Sequence, residues 1–160
     1  MIASLSFALM LAQVKTTDLK DGFVRVETSK YTIEVPKGWE VGAETSFGQR
    51  EIVSNTGALT TMTGGASKLT WQQLYDTSLY FIRRTTKDEP TPFRIGKNKK
   101  GYETMSFEMV GKDKQPSSKY VILKNAKSEI LALSVKIKSV KTEKEMNRIF
   151  ERLISTADIK

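Results

Sequence analysis

A mostly antiparallel β-sheet flanked by helices, an α+β architecture, is the fold class this sequence predicts. Three observations predict it. Short segments alternate apolar and polar residues between stretches of turn chemistry. Two other segments switch to helical period, each with a capping-box pattern at its start. The order is four strands, a helix, four strands and a helix, which layers helices onto a sheet as an α/β/α sandwich.

The first strand follows the Asp21-Gly22 turn and carries Phe23, Val24 and Val26. In the second, "YTIEVP", Tyr31, Ile33 and Val35 share one face. Pro36 cannot donate to a ladder, Gly38 relieves the turn that follows, and Trp39 offers a large apolar face to bury. The corner is read as structural, with a ligand-stacking Trp39 as its alternative. "FGQREIVS" and "ALTTMT" follow as strands around the Asn55-Thr56-Gly57 turn. Trp71, Leu74, Tyr75, Leu79 and Ile82 then fall at helical spacing behind the Thr70/Gln73 capping box, and "DEPTP" stops that helix.

A meander comes next, with strands "FRIGK", "YETMSFEMV", "KYVILK" and "EILALSVKIK". Met105, Phe107 and Met109 share a face, as do Leu131, Leu133, Val135 and Ile137. The last helix opens on a Thr142/Glu145 capping box and buries Met146, Ile149, Phe150, Leu153 and Ile154.

Composition excludes whole classes of chemistry. The 160 residues contain no histidine and no cysteine. That removes Ser-His-Asp and Cys-His nucleophile pairs, thiolate chemistry and the usual zinc sites. No serine-nucleophile motif and no calcium-loop spacing is present. The close carboxylate sets, Asp18 with Asp21, Asp88 with Glu89 and Glu143 with Glu145, sit in turns or at a helix start, where acids cap. The expectation is a protein with no catalytic residues, no cofactor and no metal.

The apolar run Ile2–Ala12 is too short to span a bilayer as a helix and fits the core of a secretory signal, with Ala12 as the cleavage position. The expected organisation is a signal-like segment within residues 1–15 and a single domain over 22–160. Export to the periplasm or the exterior follows, with no cysteine to hold a lipid anchor and no transmembrane span.

The net charge of +8 is unevenly placed. Residues 1–80 hold seven basic and eight acidic side chains, whereas residues 81–160 hold nineteen and ten. Asymmetry of this kind points to an anionic partner. Alternate turns of a meander lie at one end of the sheet, so Lys97, Lys99, Lys100, Lys124 and Lys127 are expected to gather there. No acid lies within those two turns, and the turn "GKDKQPSS" is expected at the other end, beside "RRTTKDEP". Lysines also populate hairpin ends simply for solubility and against edge pairing. Nucleic acid would ask for a longer basic track interleaved with aromatics, and only Tyr102 adjoins this one. For an exported chain, an anionic envelope component fits better: a polymer, a lipid headgroup or an acidic protein face.

"TGGASK", Thr63 to Lys68, lies between a strand and a helix, where phosphate loops sit, but it lacks the full loop spacing. Its glycines are expected to turn the strand into the helix. Gly64, Gly65 and Lys68, together with Trp39, define an alternative function: a carrier holding an apolar or anionic small ligand between helix and sheet.

The segments "YTIEVPKGWEV" and "WQQLYDTSLYFI", and the strand "EILALSVKI" leading into "TEKEMNRIFERLISTADI" with its Ser155 and Ile159 ending, resemble the PsbP-like superfamily of α/β/α sandwiches. That group includes PsbP and the DcrB-like envelope proteins. The resemblance covers Gly22 to Ile159 in pattern and order. It implies a non-catalytic, accessory protein that binds other macromolecules, often outside the cytoplasm. It brings no binding site with it, and without histidine it brings no metal role.

Overall fold

The computed structural model describes residues 14–137 and 143–160. The apolar run Ile2–Ala12 and Thr142 of the expected capping box lie outside them, as does the side chain of Ile137.

Among the described residues, two antiparallel sheets and two helices make up the fold. The smaller sheet has the order β1-β2-β3-β12, from Lys15–Asp18, Phe23–Glu27, Tyr31–Pro36 and Asp158–Ile159. The larger has eight strands: β4 (Glu40–Glu44), β5 (Gln49–Val53), β6 (Gly57–Ala66), β7 (Glu89–Pro90), β8 (Arg94–Lys97), β9 (Glu103–Val110), β10 (Pro116–Lys124) and β11 (Glu129–Ile137). Their order is β4-β5-β6-β11-β10-β9-β7, with β8 also pairing to β9. Helix α1 spans Trp71–Ile82 and α2 spans Glu143–Thr156.

Period-two alternation gives the large sheet two apolar faces. On one, Met105, Phe107, Met109 and Ile122 pack with Leu74 and Leu79 of α1. On the other, Val121, Leu123, Leu131, Leu133 and Val135 meet the α2 stripe and the small sheet. The layers are therefore α1, the large sheet, and a mixed layer of α2 beside the small sheet. This is the expected α+β sandwich, with one layer more elaborate than a lone helix. Among the described residues, no helix is long and apolar enough to cross a membrane.

The Pro36–Trp39 corner is where the chain leaves the small sheet for the large one. The Lys37 amide donates to the Gly22 carbonyl, and Gly38 takes φ +86°, a conformation that favours glycine. Trp39 is then driven into the core at 8% exposure. The corner is an anchor between layers.

Four strands were not apparent in the sequence. β1 is exposed along its length, β4 carries a register shift between Val41 and Glu44, β7 contains Pro90, and β12 has two residues. None shows the alternation of a half-buried strand. Through the pairing of β1 with β2, the folded unit reaches back to Lys15. The helical reading of α1 holds down to its capping box, in which the Thr70 hydroxyl accepts from the Gln73 amide and the Gln73 side chain accepts from the Thr70 amide.

Leu153 is fully buried where α2 meets both sheets. Leu153→Ala is expected to cost about 3 kcal/mol of unfolding free energy. Phe81→Ala, at an exposed position on α1, is expected to cost less than about 0.5 kcal/mol. Urea denaturation of the two variants checks the contrast.

Candidate functional site

The meander brings two hairpin turns to one end of the large sheet, Asn98–Gly101 between β8 and β9 and Asn125–Ser128 between β10 and β11. Lys97, Lys99, Lys100, Lys124 and Lys127 all lie at that end. Their surroundings differ.

In register, Lys97, Glu103 and Lys124 are neighbours across β8, β9 and β10 and share the α1 face. Two strand spacings put Lys97 about 10 Å from Lys124. Lys124 is held inward: its Nζ donates to the Leu69 carbonyl at 3.1 Å and stands 4.6 Å from the centroid of the Trp71 ring. Lys100 turns to the opposite side and pairs with Asp158 at 3.2 Å. Lys97, Lys99 and Lys127 are exposed and have no ion-pair partner among the described residues. The end is thus less purely cationic than its two turns suggest, because Glu103 and Glu129 flank the turns and Asp158 arrives from the small sheet. The turn "GKDKQPSS" does lie at the other end, where the Ser117 hydroxyl donates to Asp88.

The β8–β9 hairpin is fastened to the C-terminus of the chain. Asn98, only 8% exposed, donates from Nδ2 to the Ala157 carbonyl at 3.0 Å. Its Oδ1 accepts from the Lys100 and Tyr102 amides, which fixes the turn. The Tyr102 hydroxyl donates to Asp158 at 2.6 Å. That bond, aided by Lys100, holds the Asp158 carboxyl below its ordinary range. The same bond raises Tyr102, with burial adding to it. Asn98, Tyr102 and Asp158 are the residues that fix the hairpin carrying Lys97, Lys99 and Lys100. Their spacing of about sixty residues along the chain left no local signal.

The residues of the carrier alternative do not converge. Gly64 and Gly65 are not a strand-to-helix turn; both lie inside β6, where a register shift opposite Glu129 and Ile130 accommodates them. A Cβ at position 64 would stand 2.6 Å from Ile130 Cγ1, so close packing of a neighbouring side chain explains that glycine. The two glycines line an open groove of about 320 Å³ with Ser29, Thr63 and Ile159. Trp39 is elsewhere. Glu40 pairs with Val53 and Val53 with Ala58, six residues along β6 from Gly64, or about 20 Å. Lys68 is exposed on the approach to α1.

Among the described residues, no three carboxylates gather in a metal-binding group. Asp18 is engaged with Lys37 and Glu34 with Arg25 and Arg152, all in structural ion pairs.

Comparison with solved structures decides the architecture. The solution structure of cyanobacterial PsbP (CyanoP) from Synechocystis sp. PCC 6803 is similar over 99% of both chains, with a TM-score of 0.60 and 13% sequence identity. The fold is PsbP-like. No known family's sequence model matches the chain. No curated protein matches it either. At that identity the likeness concerns the backbone arrangement and carries no residue of the cyanobacterial protein's surface across.

The fastening of this PsbP-like sheet end to the C-terminus should depend on pH. For Asp158, whose folded-state value is lowered, the stabilisation is full above its ordinary range near pH 4 and is lost as pH falls through the lowered value. For Tyr102, whose value is raised, it is full below about pH 10 and is lost as pH rises through the raised value. Tyr102→Phe should cost about 1 kcal/mol at neutral pH and weaken the acid dependence below pH 4. Chemical denaturation of wild type and variant at stepped pH measures both effects.

Proposed function

We propose that this protein is an exported, non-catalytic accessory module that docks on another envelope component through the lysine-bearing end of its large sheet. One observation carries the reading: Lys97, Lys99 and Lys127 stand exposed, without ion pairs among the described residues, at the end of hairpins of which one is fastened to the chain terminus. Cations held at the end of a rigid element steer an anionic partner and order little on binding. The PsbP-like fold supports the accessory role, in line with what the resemblance implies for that superfamily. The composition supports the non-catalytic reading, since no histidine or cysteine is available.

Lys100 belongs to the fastening rather than to the docking set, because Asp158 already occupies it. The test is capture from an envelope extract of the host on immobilised protein, eluted in steps of salt. A dominant component released at moderate salt is expected. The variant carrying Lys97→Glu, Lys99→Glu and Lys127→Glu should retain at least ten-fold less of it, with an unchanged unfolding transition. Equal retention by the charge-reversed protein would remove this end from the interaction.

A further inference from the structure

The lysine-bearing end also carries apolar surface on the side of α1. Leu69 and Ile95 are 41% and 52% exposed, and Trp71 is half-buried at the first turn of the helix. Contacts join Leu69 and Trp71 through Lys124, and register places Ile95 at the same end of the same face. Lys124 touches both Leu69 and Trp71, donating to the carbonyl of the first and standing over the ring of the second. Lys97 is two strands from Lys124, and Ile95, two residues before Lys97, lies on the same face. Lys99 and Lys127 are exposed in the two hairpin turns at this end.

We propose that this patch is an interfacial binding site for an anionic lipid bilayer, an inference that rests on the docking reading above. Leu69, Ile95 and the edge of Trp71 sit at the boundary of headgroups and acyl chains, while the lysines reach headgroup phosphates. The composition of the patch favours a bilayer over a protein face. A tryptophan flanked by exposed aliphatic residues suits the membrane–water interface, where one side of the indole is apolar and the other wet. The surrounding cations are all lysines, compact charges on flexible stems. They follow a mobile array of phosphates and lack the planar fork that recognises a fixed carboxylate. Within the register row that crosses the patch, Glu103 is the only acid against Lys97 and Lys124.

The test is flotation of the form that accumulates in the host with vesicles of phosphatidylcholine alone or mixed equally with phosphatidylglycerol. Binding to the anionic vesicles only is expected, falling as salt is raised. Each lysine near such a surface is worth roughly five-fold in partitioning. Lys97→Glu, Lys99→Glu and Lys127→Glu together should therefore lower it by at least about 100-fold. Leu69→Ser with Ile95→Ser should lower it by roughly ten-fold, with the circular dichroism spectrum and unfolding midpoint unchanged. Brominated acyl chains should quench the emission of Trp71.

The control is a second exposed site on α1 and the loop after it, Phe81→Ser with Lys87→Glu, which should leave binding intact. Failure of wild type to bind anionic vesicles at low salt overturns the inference. So does binding that the lysine variant retains, or that the control variant loses equally. If the extract yields a protein held by the same lysines while vesicles do not bind, docking stands and the bilayer falls. If neither binds, both fall together.

Discussion

The inner face of the eight-stranded sheet must be covered, and the rest of the structure follows from how that is done. Leu131, Leu133, Val135, Val121 and Leu123 present an apolar surface wider than one helix. Helix α2 seats Met146, Ile149 and Leu153 against it, fully buried. The remainder is roofed by the small sheet through Val26, Ile33 and Val35. The two parts of the roof are tied at Glu34, a buried carboxylate on β3 that accepts from Arg25 at 2.9 Å and from Arg152 of α2 at 2.6 Å. Both arginines remain partly exposed, so the tie costs less desolvation than a wholly buried pair.

Roofing with a second sheet imposes a routing problem. The chain must pass from roof to floor without leaving an unpaired edge in the core. The Pro36–Trp39 corner solves it on entry, ending one ladder and burying an indole between the layers. At the other end of the chain the route is completed by β12, two residues that pair with Thr32 and Tyr31. Because β12 lies over the β8–β9 hairpin, the bonds from Asn98 and Tyr102 fix the hairpin that presents Lys97 and Lys99. The fastening of this lysine-bearing end is therefore a by-product of closing the core.

Much of this was legible. The alternation in Tyr31, Ile33 and Val35, and in Met105, Phe107 and Met109, assigned strands and faces because a residue period of two admits no other placement of those side chains. The capping box at Thr70 and Gln73 fixed the start of α1 through bonds that span only three residues. The gathering of lysines at one end was also readable, since turns of a meander must alternate between ends. The partition among those lysines was not. Lys100 is occupied by an acid 58 positions away, and Lys124 by a carbonyl and a ring 53 to 55 positions earlier. Gly64 and Gly65 misled for a related reason. Turn chemistry and a bulge beside Ile130 use the same residue, and only the neighbouring strand distinguishes them.

By itself, the sequence determined the class of secondary structure, the buried faces and the absence of histidine and cysteine chemistry. These depend on local period and on residue type, which are present in one dimension. Only the tertiary structure decided that the described strands form two sheets, that the short strands β1, β4, β7 and β12 exist, and which lysines have no ion pair among the described residues. Short strands form because a paired edge awaits them, and a lysine is free only if no distant acid reaches it. Both conditions belong to the packed chain, where residues far apart in sequence share a surface.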